Sequence, residues 1–133
     1  CSPIATAFSR GDERVSPFPE PHTIAHAIEN PFPPSGDRVL LELRSRGWHS
    51  LAATEEEIVR AQADMARSGL FGQPAAAVPL ATLRRARAKG IVKEGERVAL
   101  VLTGSGLKYT AAFAAHRLRW EDCGLDELAG RLK

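Results

Sequence analysis

Five apolar residues in a row, Val98-Ala99-Leu100-Val101-Leu102, follow the charged stretch Glu94–Arg97 and end on Thr103-Gly104-Ser105-Gly106. An apolar run of this length without polar alternation reads as a strand buried on both faces, the usual situation of a parallel strand between two helical layers. Trp48–Ala53 reads as a second, shorter strand, and helical patterns lie between the two. Strand, helix and strand in that order predict an α/β layered domain with right-handed crossovers.

The helical patterns have clear edges. From Asp37, Val39, Leu40 and Leu43 recur at helical spacing, and Gly47 is placed as a stop, which predicts a helix of about ten residues. Thr54-Glu55-Glu56-Glu57 has the Ser/Thr-x-x-Glu spacing of a capping box, so a helix is expected to start there, with Ile58, Ala61 and Met65 as its buried stripe and Ala66 beside it. Gln62 is expected at the edge of that stripe, with its amide in water. Residues 69–73 read as a turn. Pro74 suits a first helical position, since its missing N–H costs nothing there, and the Ala-rich helix that follows should run to Gly90 with a bend at Pro79. Residues 12–22 and 30–37 are rich in Pro, Gly, Ser and Asp and read as connections around a short helix at Thr23–Ile28. Leu125, Leu128 and Leu132 predict a small terminal helix over 125–132, covering an edge.

The chain has 133 residues, enough for one modest core, and its 44% hydrophobic and 26% charged residues are those of a folded globular protein. A net charge of +2, with one dense arginine cluster at Arg84, Arg85 and Arg87, does not point to nucleic acid. No apolar run approaches the roughly 20 residues that span a bilayer, and no leader pattern is present, so a cytoplasmic protein without a membrane role is expected. Cys1 and Cys123 read as ordinary thiols. An opening on Cys1-Ser2-Pro3 rather than methionine leads us to expect a portion of a longer chain.

Few residues carry chemistry by spacing alone. The strand end Thr103-Gly104-Ser105-Gly106-Leu107-Lys108 lies where open α/β sheets bind ligands, and its glycines would let the backbone come close to one. The bland alternative is a tight turn, and the third glycine of a dinucleotide fingerprint is missing. His22 and His26 stand four apart, but no third ligand is spaced to join them, so no metal is expected. Glu55, Glu56 and Glu57 are explained by capping, Lys108 by a solvated loop, and the arginines by the wet side of a helix. No Gly-x-Ser-x-Gly elbow occurs.

The order of Cys1-Ser2-Pro3-Ile4, Pro21-His22-Thr23-Ile24-Ala25, Asn30-Pro31, Thr54–Ile58, Gln73-Pro74-Ala75-Ala76-Ala77 and Leu102–Lys108 resembles the C-terminal half of threonine synthase, over roughly residues 1–110. The resemblance implies a three-layer α/β/α parallel-sheet portion of a fold type II, tryptophan synthase beta-like, pyridoxal-phosphate enzyme, with residues 1–133 as the C-terminal part of its large domain. It implies a carbon–oxygen lyase that in complete form turns O-phosphohomoserine into threonine and phosphate, as a homodimer. It also implies that the Schiff-base lysine and the glycine-rich phosphate loop belong to an N-terminal portion absent here, so this chain carries no catalytic residue and is expected to be inactive alone. Thr103 matches the hydroxyl residue that meets the pyridine nitrogen of pyridoxal phosphate, Ala25 matches a small residue against its ring face, and Gly104 belongs to the same cofactor wall. The pattern departs from the family at Gln73 and Ala76, where a glutamate and a serine are usual, at Ile28-Glu29, where an arginine and a glycine usually precede Asn-Pro, and at Tyr109-Thr110 after the lysine. A related cysteate synthase or threonine/serine dehydratase, or a non-catalytic domain that packs on a partner, are the alternatives.

Overall fold

A computed structural model describes residues 1–109, 111 and 121–131. Helix α1 covers Pro3–Arg10, α2 Gly36–Ser45, α3 Glu55–Arg67, α4 Pro74–Ala88 and α5 Leu125–Arg131, with short 3-10 turns at His26–Ile28 and Gly106–Lys108. α1 has no counterpart among the elements expected from sequence. Pro3 sits in its first turn, and Gly11 closes it in the left-handed conformation, φ 80°, that a side chain would disfavour.

The capping box forms as the sequence predicts. The Glu57 amide donates to Thr54 Oγ1 at 3.3 Å, and the Thr54 amide donates to Glu57 Oε2 at 2.7 Å. The other carboxylate oxygen of Glu57 accepts from Arg85 Nε at 2.7 Å, and Arg85 also donates to the Ala52 carbonyl at 3.0 Å. Arg84 reaches Asp64 at 2.6 Å, with Arg67 on the same carboxylate. Arg84 and Arg85 therefore tie α4 to α3 and to the segment before it, rather than simply facing water. Between the two helices Ile58, Ala61, Met65, Ala75, Ala77 and Ala81 form one core, joined by Ala25. Alanines at the contact let helix backbones come close. A second core joins Ala7 of α1, Leu40 of α2 and Val15, with Leu40 fully buried and the Val15 amide donating to Asp37 Oδ1 at 2.7 Å.

Three expectations change. Gln62 does not reach water: it is 1% exposed, and its Nε2 donates to the Gly72 carbonyl at 2.7 Å. α5 has no buried residue, and Leu125 is 88% exposed, so it covers no edge among the described residues; Leu132 lies outside them. The third concerns the sheet. Among the described residues there are no strands, only one isolated antiparallel bridge between Gly72 and Ser105. Trp48–Ala53 and Val98–Leu102 carry no ladder, and Val101 is 71% exposed. A strand exists only through bonds to a neighbouring strand, and no such neighbour lies beside either run among the described residues. Val98 and Leu100 instead border a recess with Leu83, Ala86 and Ile91, beside α4.

The Thr54 amide and the Arg85 guanidinium hold the Glu57 carboxyl below its ordinary value of 4.5. A depressed folded value means that this carboxylate stabilises the fold above about pH 4.5 and that the contribution is lost as pH falls through the lower native value. Glu57→Gln, which keeps a cap acceptor but loses the charge facing Arg85, should therefore lower stability at pH 7 by less than about 1 kcal/mol and flatten the loss seen on acidification. Urea unfolding followed by circular dichroism at pH 7 and pH 3.5 checks both.

Candidate functional site

The segment Thr103–Gly106 crosses the turn between α3 and α4 as a short strap. Gln73 N–H donates to the Gly104 carbonyl at 3.0 Å, and Gly106 N–H donates to the Phe71 carbonyl at 2.9 Å. Gly72 and Ser105 pair between these two bonds. Ser105 Oγ accepts from the Leu107 amide at 3.2 Å and caps the following 3-10 turn.

The glycines permit this closeness. A Cβ at Gly104 would sit 2.6 Å from Gln73 Nε2, and one at Gly106 would sit 2.5 Å from the Phe71 ring. Sequence reasoning assigned the glycines to the approach of a ligand, but in the structure the space beside them is filled by Phe71 and Gln73. Thr103, by contrast, is exposed, and its hydroxyl has no hydrogen bond to another described residue. It stands just before two backbone anchors, so an exposed side chain is mounted on a strap held at both sides of Ser105.

Ala25 is placed differently. It is 1% exposed and packs in the α3–α4 core. Successive amides of its segment are each held by a side-chain oxygen: Thr23 by Glu29 at 2.6 Å, Ile24 by Glu55 at 2.8 Å and Ala25 by Thr23 Oγ1 at 3.1 Å. Ala25 also borders a recess of about 260 Å³ with Thr23, Ala53, Glu55, Ile58 and Val78. On the other side of the segment, Ile24, His26 and Ala27 line a second recess with Gln73, Pro74, Lys108 and Tyr109. Gln73 thus belongs both to this recess and to the contact with Gly104, and it is the residue through which the Ala25 segment and the Thr103 strap are neighbours.

His26 lies edge-on to Tyr109, with ring centroids 5.1 Å apart, and its Nδ1 is 3.6 Å from Glu29. Spacing gave no hint of either contact or of the Thr23–Glu29–Glu55 arrangement, because each partner comes from elsewhere in the chain or from a turn. No group of three or more His, Cys, Asp or Glu able to hold a metal occurs among the described residues. Among those residues no helix is long and apolar enough to cross a membrane. His116 lies outside the described residues.

The sequence model of the family described as "Pyridoxal-phosphate dependent enzyme" matches residues 1–104. The threonine synthase of Methanocaldococcus jannaschii is 38% identical over 107 residues, 80% of this chain and 26% of that protein. Threonine synthase 2, chloroplastic, of Arabidopsis thaliana is 31% identical over 132 residues, 98% of this chain and 25% of that protein. The threonine synthase of Mycobacterium leprae is 39% identical over 93 residues, 69% of this chain and 26% of that protein. The chain spans about a quarter of the length of these curated relatives.

The two strap glycines should respond differently to a methyl group. Gly106→Ala presses on an aromatic ring and should cost about 1–3 kcal/mol. Gly104→Ala presses on the end of a flexible side chain that can swing aside, and should cost less. Thr103→Val, at an exposed position, should stay within about 0.5 kcal/mol of the parent. Urea midpoints of the three variants test the order.

Proposed function

Because the chain belongs to the pyridoxal-phosphate-dependent enzymes, we propose that it is the C-terminal portion of the large domain of a threonine-synthase-like carbon–oxygen lyase. The complete enzyme would convert O-phosphohomoserine to threonine and phosphate. The observation that carries the reading is the Thr103 hydroxyl, exposed and without a described partner, on a strap fixed at Gly104 and Gly106. It stands in the position that the resemblance gives to the partner of the cofactor's ring nitrogen.

Of the residues that the resemblance gives to a cofactor wall, Thr103 has the matching chemistry. A hydroxyl with room to turn can accept or donate, as a pyridine nitrogen requires. Pyridoxal phosphate, when bound, supplies an electron sink for the bond changes at the substrate's α-carbon. Thr103 would hold the ring nitrogen through a neutral hydroxyl rather than a carboxylate, which leaves the ring less fully protonated. Gly104, whose open side is occupied by Gln73, would contribute by fixing the strap through its carbonyl. Ala25, 1% exposed in the α3–α4 core, would support the wall from behind through its pinned segment rather than face the ring. No proton transfer is assigned to this chain; the Schiff-base lysine and the phosphate loop that the resemblance implies would come from the rest of a longer protein.

A second reading, a domain that packs on a partner without catalysis, draws on the exposed apolar residues Val98, Val101 and Leu102 and on Trp48. Both readings need a partner surface. They differ in whether Thr103 matters to chemistry.

A chimera separates them. The matching quarter of the Methanocaldococcus jannaschii threonine synthase is replaced by this chain, and threonine and phosphate release from O-phosphohomoserine are followed. The reading predicts an active chimera whose rate falls at least about tenfold with Thr103→Val, while folding is retained. A folded chimera that binds the cofactor but forms no threonine, or one indifferent to Thr103→Val, contradicts it.

A further inference from the structure

Gln62 is the one polar side chain in the apolar stripe of α3, set among Ile58, Ala61 and Met65 and 1% exposed. By helical pattern its place belongs to a leucine or a methionine, and burial of an amide is unfavourable unless it is bonded. One of its bonds goes out of the helix, from Nε2 to the Gly72 carbonyl at 2.7 Å. A carbonyl can only accept, so it is the amide nitrogen that faces it.

The geometry of the strap gives this bond a direction. Gly72 and Ser105 form the pair that lies between the bonds Gln73 N–H to Gly104 O and Gly106 N–H to Phe71 O. In such a pair, the residues' own N–H and C=O groups point away from the partner segment. The Gly72 carbonyl therefore faces away from the strap, towards Gln62. The same carbonyl shares one planar peptide unit with Gln73 N–H, and the plane does not twist. Gln62 grips the oxygen end of that plane, and the nitrogen end is thereby aimed at Gly104, next to Thr103. Rotation about the bonds flanking this peptide would otherwise be easy, since Gly72 has no side chain; a Cβ there would stand 3.2 Å from both Met65 Cε and Ala76 Cβ.

We propose that Gln62 is a positioning residue for the Thr103 hydroxyl, acting through the Gly72–Gln73 peptide and the Gly104 carbonyl. The inference rests on the role proposed for Thr103. Gln62 touches no cofactor or substrate; it sets the height and tilt of the strap that presents the hydroxyl.

Amide hydrogen exchange of the chain, resolved by residue, reads the link without any cofactor. Gln62→Met keeps the volume and removes the donor. The Gln73 and Gly106 amides should then exchange about tenfold faster or more, while interior amides of α3 and α4 stay within about twofold. Gln62→Asn, which keeps an amide but is one methylene short, should give the same local pattern and serves if the methionine variant does not fold. Equal acceleration throughout α3 and α4, unchanged exchange at Gln73, or a Gln73 amide already unprotected in the parent overturns the proposal and leaves the Thr103 reading standing. In the chimera loaded with pyridoxal phosphate, Gln62→Met should shift the pH dependence of the cofactor's absorbance in the same direction as Thr103→Val. A chimera in which both variants leave that pH dependence unchanged removes the Thr103 reading, and the role of Gln62 with it.

Discussion

The close approach of α3 and α4 over Ala61, Ala77 and Ala81 is the constraint on which the rest of the molecule depends. Alanines allow the contact, and Glu57 with Arg85 and Asp64 with Arg84 fix its register from the rim. These rim pairs are partly exposed, so each contributes little by itself. The apolar contact supplies most of the stabilisation, at about 25 cal/mol per Å² removed from water. Glu57 has a second role at the start of α3, where its other oxygen completes the cap. One carboxylate thus couples the beginning of one helix to the end of the next.

That pairing fixes the turn at residues 68–73, and the turn carries the strap. Phe71, Gly72 and Gln73 meet Gly104, Ser105 and Gly106 through two backbone bonds and a bridge. Glycine at 106 leaves room for the Phe71 ring, and glycine at 104 lets Gln73 lie close. The order of dependence runs from the helix contact to the turn, from the turn to the strap, and from the strap to the exposed Thr103 hydroxyl. Gln73 lies at the junction and brings no charge to it.

What was legible in the sequence was what neighbours in sequence decide. The capping box at Thr54, the proline start at Pro74 and the spacing of Val39, Leu40 and Leu43 each give a local signal, and α2, α3 and α4 begin where those signals lie. The order of short motifs also pointed to the family that the comparison identifies. What was not legible depended on partners distant in sequence. Gln62 looked like an edge residue because its acceptor, Gly72, lies in the next turn. The glycines at 104 and 106 looked like room for a ligand because nothing local shows that Phe71 fills it. Val98–Leu102 has the composition of a buried strand, but a ladder needs a second strand, and composition does not supply one. α1 was within reach, since Ile4, Ala7 and Phe8 have helical spacing, but Pro3 was read only as part of a motif.

The central claim is that this chain provides a cofactor wall and no covalent anchor. Of the described lysines, Lys108 lines the recess beside Gln73 and Tyr109 and is the natural competitor for that role. The direct measurement is borohydride reduction of the purified chain after incubation with pyridoxal phosphate, followed by peptide mapping. The account predicts no single lysine carrying the reduced adduct. A stoichiometric adduct on one lysine, Lys108 above all, would contradict it.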